Sequence, residues 1–247
     1  MRGLATAITF LTRIPLGWPR DYREDDLARA TPWFPVVGAG IGAALGGAAL
    51  GLHTLGLSPG LSVALGVLSL GPLLTGALHE DGLADTADGL GGGRDRESAL
   101  RIFRDSRVGA YGVVAVVVAF ALRLEALRAL EPAQWLPALL LAHALGRWST
   151  LLLMAALPYA RQENKGLADR MVPGLGWGRS VLAFGVVVGL CGALLGPMGG
   201  LLLLGAGILT LLLGLWFRRR LGGITGDLLG AACVGTELLV LAGFGLL

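Results

Sequence analysis

The sequence predicts an all-α, polytopic membrane protein with about seven transmembrane helices and a cytoplasmic N-terminus. Three observations lead there: composition, the length of the apolar stretches, and the placement of Lys and Arg. Of 247 residues, 54% are hydrophobic and only 15% charged, against roughly 45–50% and about 25% in a soluble domain. Lipid is the solvent that suits such a chain, and the apolar content excludes intrinsic disorder. The 41 glycines fit the same setting, because small residues let helix backbones approach closely in a bilayer.

A crossing needs about 20 mostly apolar residues. Seven stretches qualify, over 33–56, 60–78, 108–127, 135–157, 180–196, 199–217 and 227–247. Gly196–Gly199 alone separates the fifth from the sixth, a tight hairpin. Residues 1–16 read as an extra interfacial helix. Basic residues then alternate between the connections. Arg2, Arg13, Arg20, Arg23 and Arg29 precede the first span, and the next connection has none. Arg94, Arg96, Arg101, Arg104 and Arg107 follow the second, whereas the connection after the third holds Arg128, with Arg123 near the span end. Arg161, Lys165, Arg170 and Arg179 follow the fourth, none follow the fifth, Arg218–Arg220 follow the sixth, and none follow the seventh. The positive-inside rule places the rich segments in the cytoplasm. The long polar connections, 79–107 and 158–179, lie on that side, so chemistry has room there. No internal repeat divides the chain, and 1–247 reads as one domain.

The net charge of +3 forms no single patch, so no nucleic-acid partner is expected. Cys191 and Cys233 fall inside apolar runs and read as free, buried thiols. No signal-peptide cleavage site follows the first apolar stretch.

The segment 79–112 is richest in chemistry. If 79–89 is helical, Asp81, Asp85 and Asp88 share one face, within about 60° of the wheel. Carboxylates so placed repel one another and call for a cation. Hard oxygen donors suit magnesium, which takes one or two carboxylates plus substrate phosphates. The bland alternative is a solvated face, and Gly82 and Gly89 weaken the helix. Three acids on one face, in a chain with 17 acidic residues, favour the metal. Downstream, Arg104 and Arg107 flank Asp105, and guanidinium forks suit phosphate oxygens; Arg94 and Arg96 serve topology equally well. The turn Val108–Gly112 lets backbone approach a ligand. Arg147 lies deep in the fourth span with His143 one turn earlier, a costly position that implies a partner. That partner is a phosphate or an aspartate, or else Glu237 in a structural ion pair. His143 alone reads as a hydrogen-bonded core histidine. Asp227 opens the last span between glycines, as a ligand-facing acid or simply a helix cap.

Phe10–Pro15, His79 with Asp81–Gly89, Asp105–Gly112 and Gly222–Asp227 together resemble cobalamin synthase, the adenosylcobinamide-GDP ribazoletransferase family. The likeness runs from the N-terminus to the last span; Glu80 departs from it, standing where an apolar residue is expected. The resemblance implies a transferase of cobalamin biosynthesis that joins adenosylcobinamide-GDP to α-ribazole or its phosphate. The products are adenosylcobalamin or its phosphate and GMP. It also implies Mg2+ as cofactor and a multi-pass place in the bacterial inner membrane, and leaves room for a homo-oligomer or for association with other cobalamin-pathway enzymes. The expected site is Asp81, Asp85 and Asp88 for the metal, with Asp88 and Asp105 catalytic and Arg104, Arg107, Arg147 and Asp227 binding substrate. Two other readings compete. One is a CDP-alcohol phosphotransferase or prenyltransferase, although Asp85 stands where the former's signature has an arginine. The other is a secondary transporter with Arg147, Glu237 and Asp227 on an ion path, for which half-to-half symmetry is lacking.

Overall fold

The computed structural model describes residues 2–16, 26–105, 107–160 and 177–246. Among them the architecture is helical throughout. Helix α1 (Arg2–Leu11) precedes α2 (Asp26–Ala30), which runs through a 3₁₀ turn into α3 (Phe34–Thr54). A second descent is built from α4 (Pro59–Val63), a π-helical turn (Ala64–Ser69) and α5 (Leu70–Thr75). Then come α6 (Leu78–Gly92), α7 (Arg96–Ile102), α8 (Ala110–Arg128) and α9 (Pro132–Ala156). The chain closes with α10 (Trp177–Leu195), α11 (Pro197–Leu221) and α12 (Gly226–Phe244).

Six helices are long and apolar enough to cross a membrane, and the pair Pro59–Thr75 plus Leu78–Gly92 makes a seventh if counted as one broken span. The expected span over 60–78 therefore needs correction. It is not straight: the chain bends by 86° after Thr75. Gly76 and Ala77 take left-handed φ values of 69° and 56°, and α6 sets off in a new direction. A glycine tolerates that conformation at no steric cost; an alanine does not, and its presence marks a bend fixed by its surroundings.

Helix α9 is the enclosed axis of the bundle. It packs most extensively on α3 and then on α12. Gly38, Gly42 and Gly46 recur every fourth residue on α3, and a Cβ on any of them would strike the α9 backbone near His143, Leu139 and Leu136. Here is the use of the glycine-rich composition: it makes a seam where main chains touch, and dispersion replaces the hydrophobic effect that lipid cannot supply. Around this axis α8, α10 and α11 expose wide apolar faces, including Val113, Val117, Leu182, Leu204 and Leu211. Such faces suit acyl chains. Both cysteines are free and buried, as the sequence indicated. Residues 17–25 and 161–176, with Arg20, Arg23, Arg161, Lys165 and Arg170, lie outside the described residues.

Candidate functional site

The acid segment is helical from Leu78 to Gly92, glycines included. A central glycine costs a helix about 1 kcal/mol, so the glycines must have a use, and their surroundings show it. A Cβ on Gly82 would lie 2.8 Å from the Asp227 carbonyl oxygen and 3.1 Å from Gly230 Cα. A Cβ on Gly89 would lie 2.9 Å from the Phe103 ring. Gly82 thus lets α6 cross the start of α12 backbone to backbone, and Gly89 seats α7. The crossing brings Asp227, far away in sequence, beside the acid helix.

The three aspartates differ in environment. Asp81 is exposed and Asp85 half-buried, while Asp88 is buried. Asp88 accepts the amide hydrogens of Gly109 (2.7 Å) and Gly112 (2.9 Å). It ties α6 to the first turn of α8 and satisfies amides that the start of a helix leaves orphaned. Each of its oxygens keeps a second lone pair. The Asp81 carboxylate has no hydrogen bond or ion pair among the described residues. Among those residues no three His, Cys, Asp or Glu side chains gather in a metal-binding group.

Asp227 is half-buried in the first turn of α12. It is not the helix cap. Thr225 is, its hydroxyl accepting the Leu228 amide (3.3 Å) while donating to Asp227 Oδ2 (3.2 Å). The segment before it is pinned by a short parallel bridge, Ile224 N–H to the Pro158 carbonyl (2.9 Å) and Ala160 N–H to the Ile224 carbonyl (2.8 Å). Gly223 lies so close to Pro158 that a side chain would not fit.

Asp105 and Arg107 form an exposed ion pair at 2.6 Å. Hydrogen bonds from Arg107 hold the Asp105 carboxyl down to about 2. Arg104 is exposed and lines a groove of about 380 Å³ with Arg96, Glu97, Leu100 and Arg101. Arg96 is structural there, donating to the carbonyls of Leu221 and Ala160, each at 2.8 Å.

Arg147 is only 2% exposed and pairs with Glu237, the structural partner that the sequence offered. Around Glu237 the bundle gathers further polar side chains. His143 lies at 2.9 Å and Arg123 at 2.8 Å. Arg123 also reaches Glu80 on α6 at 3.2 Å, and His79 Nδ1 stands 3.5 Å from Arg147. Two acids and two arginines therefore balance inside the apolar bundle and join α6, α8, α9 and α12. Sequence reasoning missed two members. From the sequence alone Arg123 counts only among the topological charges and Glu80 only as a departure from the family pattern. The signal was available: a charge within a span requires a partner.

Comparison with known proteins decides the family. The family profile described as cobalamin-5-phosphate synthase matches residues 3–245. The chain belongs to the cobalamin-5-phosphate synthase family. A relative from Bradyrhizobium diazoefficiens is 42% identical, covering 96% of this chain and 91% of its own. One from Ralstonia nicotianae is also 42% identical, over 97% and 93%, and one from Brevibacillus brevis is 36% identical, over 98% and 96%. All three are named adenosylcobinamide-GDP ribazoletransferase. No solved structure matches the chain. Membership of the cobalamin-5-phosphate synthase family sets aside the CDP-alcohol phosphotransferase, prenyltransferase and transporter readings.

Proposed function

We propose that this membrane enzyme transfers the adenosylcobinamide-phosphate moiety of adenosylcobinamide-GDP to α-ribazole or its phosphate, with release of GMP, on the open face of α6. The observation that carries the site is Asp81: an exposed carboxylate without a partner among the described residues, beside buried acids that have theirs. It sits just past a helix break, in a chain of this family.

Asp81 and Asp85 fit Mg2+. They are hard oxygen donors one turn apart, both reachable from solvent, and magnesium asks for one or two carboxylates plus substrate phosphate oxygens. When bound, the ion supplies charge neutralisation on the diphosphate. Asp88 acts through α8: with its carboxylate on the Gly109 and Gly112 amides, it fixes the angle at which α6 presents its open face.

The chemistry is a substitution at phosphorus. The ribose hydroxyl oxygen of ribazole forms a bond to the phosphorus next to the cobinamide arm. The bond from that phosphorus to the bridging oxygen breaks, and GMP leaves with the electron pair. The hydroxyl proton goes to a carboxylate. Asp105 is poorly suited, because hydrogen bonds from Arg107 lower its proton affinity. Arg104 in its groove offers a guanidinium fork to phosphate, whereas Nε and Nη2 of Arg107 are already held by Asp105.

The Lys and Arg alternation supports an inner-membrane location with the α6 face and the N-terminus towards the cytoplasm. There a large amphipathic corrinoid is held at the bilayer surface. The test uses purified protein with adenosylcobinamide-GDP, α-ribazole and Mg2+. GMP and the joined corrinoid should appear in equal amounts, and no GMP from folded protein would refute the assignment.

A further inference from the structure

The motif Phe10–Pro15 has so far no part in the chemistry, and the helix break explains where it goes. The Arg13 amide donates to the Leu74 carbonyl at 2.7 Å, binding the N-terminal segment to the end of α5. The Arg13 side chain then crosses Gly76. A Cβ on Gly76 would collide with Nε and lie 3.0 Å from Cζ and 3.1 Å from Nη2. Residue 76 is thus glycine for two reasons, a left-handed φ of 69° and a guanidinium lying on it. Yet Arg13 is an exposed residue, and its guanidinium has no hydrogen bond or ion pair among the described residues. One turn on, the Asp81 amide bonds the Ala77 carbonyl at 2.8 Å. A seated cation and an exposed carboxylate therefore stand at the same break, and they are not paired with each other.

A charge needed only for topology requires no seat: any exposed arginine would serve. A guanidinium held in place without a protein partner among the described residues matches phosphate oxygens, which such a group grips bidentately. We propose that Arg13, laid across Gly76 at the α5–α6 break, holds a phosphate oxygen of the diphosphate substrate. This rests on the reaction assigned above and adds a binding residue from the N-terminal segment.

The test compares wild type with Arg13→Gln and Arg13→Lys in zwitterionic nanodiscs. Gln should raise the KM for adenosylcobinamide-GDP at least tenfold, leave the KM for α-ribazole within twofold, and Lys should recover part of the loss. Pyrophosphate binding in lipid-free detergent, read by calorimetry, should weaken at least tenfold in Arg13→Gln. This arm needs no turnover, so it stands even if the reaction assignment fails. Equal shifts in both KM values, no shift in either, or unchanged pyrophosphate binding would overturn the proposal. So would an effect confined to nanodiscs holding anionic lipid, which would assign Arg13 to lipid headgroups. If Gln unfolds the protein, Lys alone decides: a selective KM change supports the site, and wild-type kinetics in both substrates overturns it.

Discussion

Glu80 and Asp81 are adjacent in sequence and have opposite fates. Glu80 turns inward to Arg123, which also holds Glu237, and the two acids with Arg123 and Arg147 close a balanced set within the bundle. Asp81 turns outward and has no such partner among the described residues. A helix rotates 100° per residue, so neighbours can serve different masters. The lesson is that paired charges hold this fold together, and that the proposed site rests on a charge the fold does not pair.

The contrast can be broken in order of effect. Asp81→Asn should reduce turnover by about 10³-fold and leave the melting temperature in detergent unchanged. Loss of fold in place of loss of rate would put Asp81 on the structural side. Glu237→Gln should do the reverse. It leaves two buried arginines underpaired, a change worth about 3–5 kcal/mol, seen as lower unfolding midpoints and aggregation on size exclusion. Activity per folded molecule should stay within about tenfold. For the Glu80–Arg123 pair, Glu80→Leu alone should destabilise, and Glu80→Leu with Arg123→Leu should recover much of the loss, because an apolar pair replaces a buried ionic one at little cost. Additive losses in that cycle would refute the coupling. Asp88→Asn should cost about 1 kcal/mol of stability through the start of α8 and lower the rate about tenfold. The smallest effect belongs to Asp105. Its carboxyl is depressed to about 2, so the ion pair with Arg107 is fully present above the ordinary carboxylate range and is lost only as pH falls through about 2. Asp105→Asn should therefore leave the pH–rate profile between pH 5 and 8 unaltered.

Much of this was legible in the sequence. Apolar length and basic alternation outlined the spans because bilayer thickness and insertion bias act on composition alone. The helix that carries Asp81, Asp85 and Asp88 followed from their spacing, but their three different environments did not. The 86° break was not legible, since 60–78 is apolar on both sides of Gly76 and periodicity carries no sign of a bend. Nor was the buried role of Asp88, because its partners are main-chain amides of another helix. The Arg147–Glu237 pair was legible as one of two readings, and geometry chose it. Gly82 counted against a helix on propensity; its contact with Gly230 shows tertiary packing overriding that preference.

Manganese, a paramagnetic substitute for magnesium, tests the central claim most directly. Bound metal is counted by electron paramagnetic resonance in the presence of pyrophosphate, for wild type, Asp81→Asn and Glu80→Gln. The expected result is near-stoichiometric binding in wild type and Glu80→Gln, and loss of binding in Asp81→Asn. Retained binding in folded Asp81→Asn, or loss in folded Glu80→Gln, would contradict it.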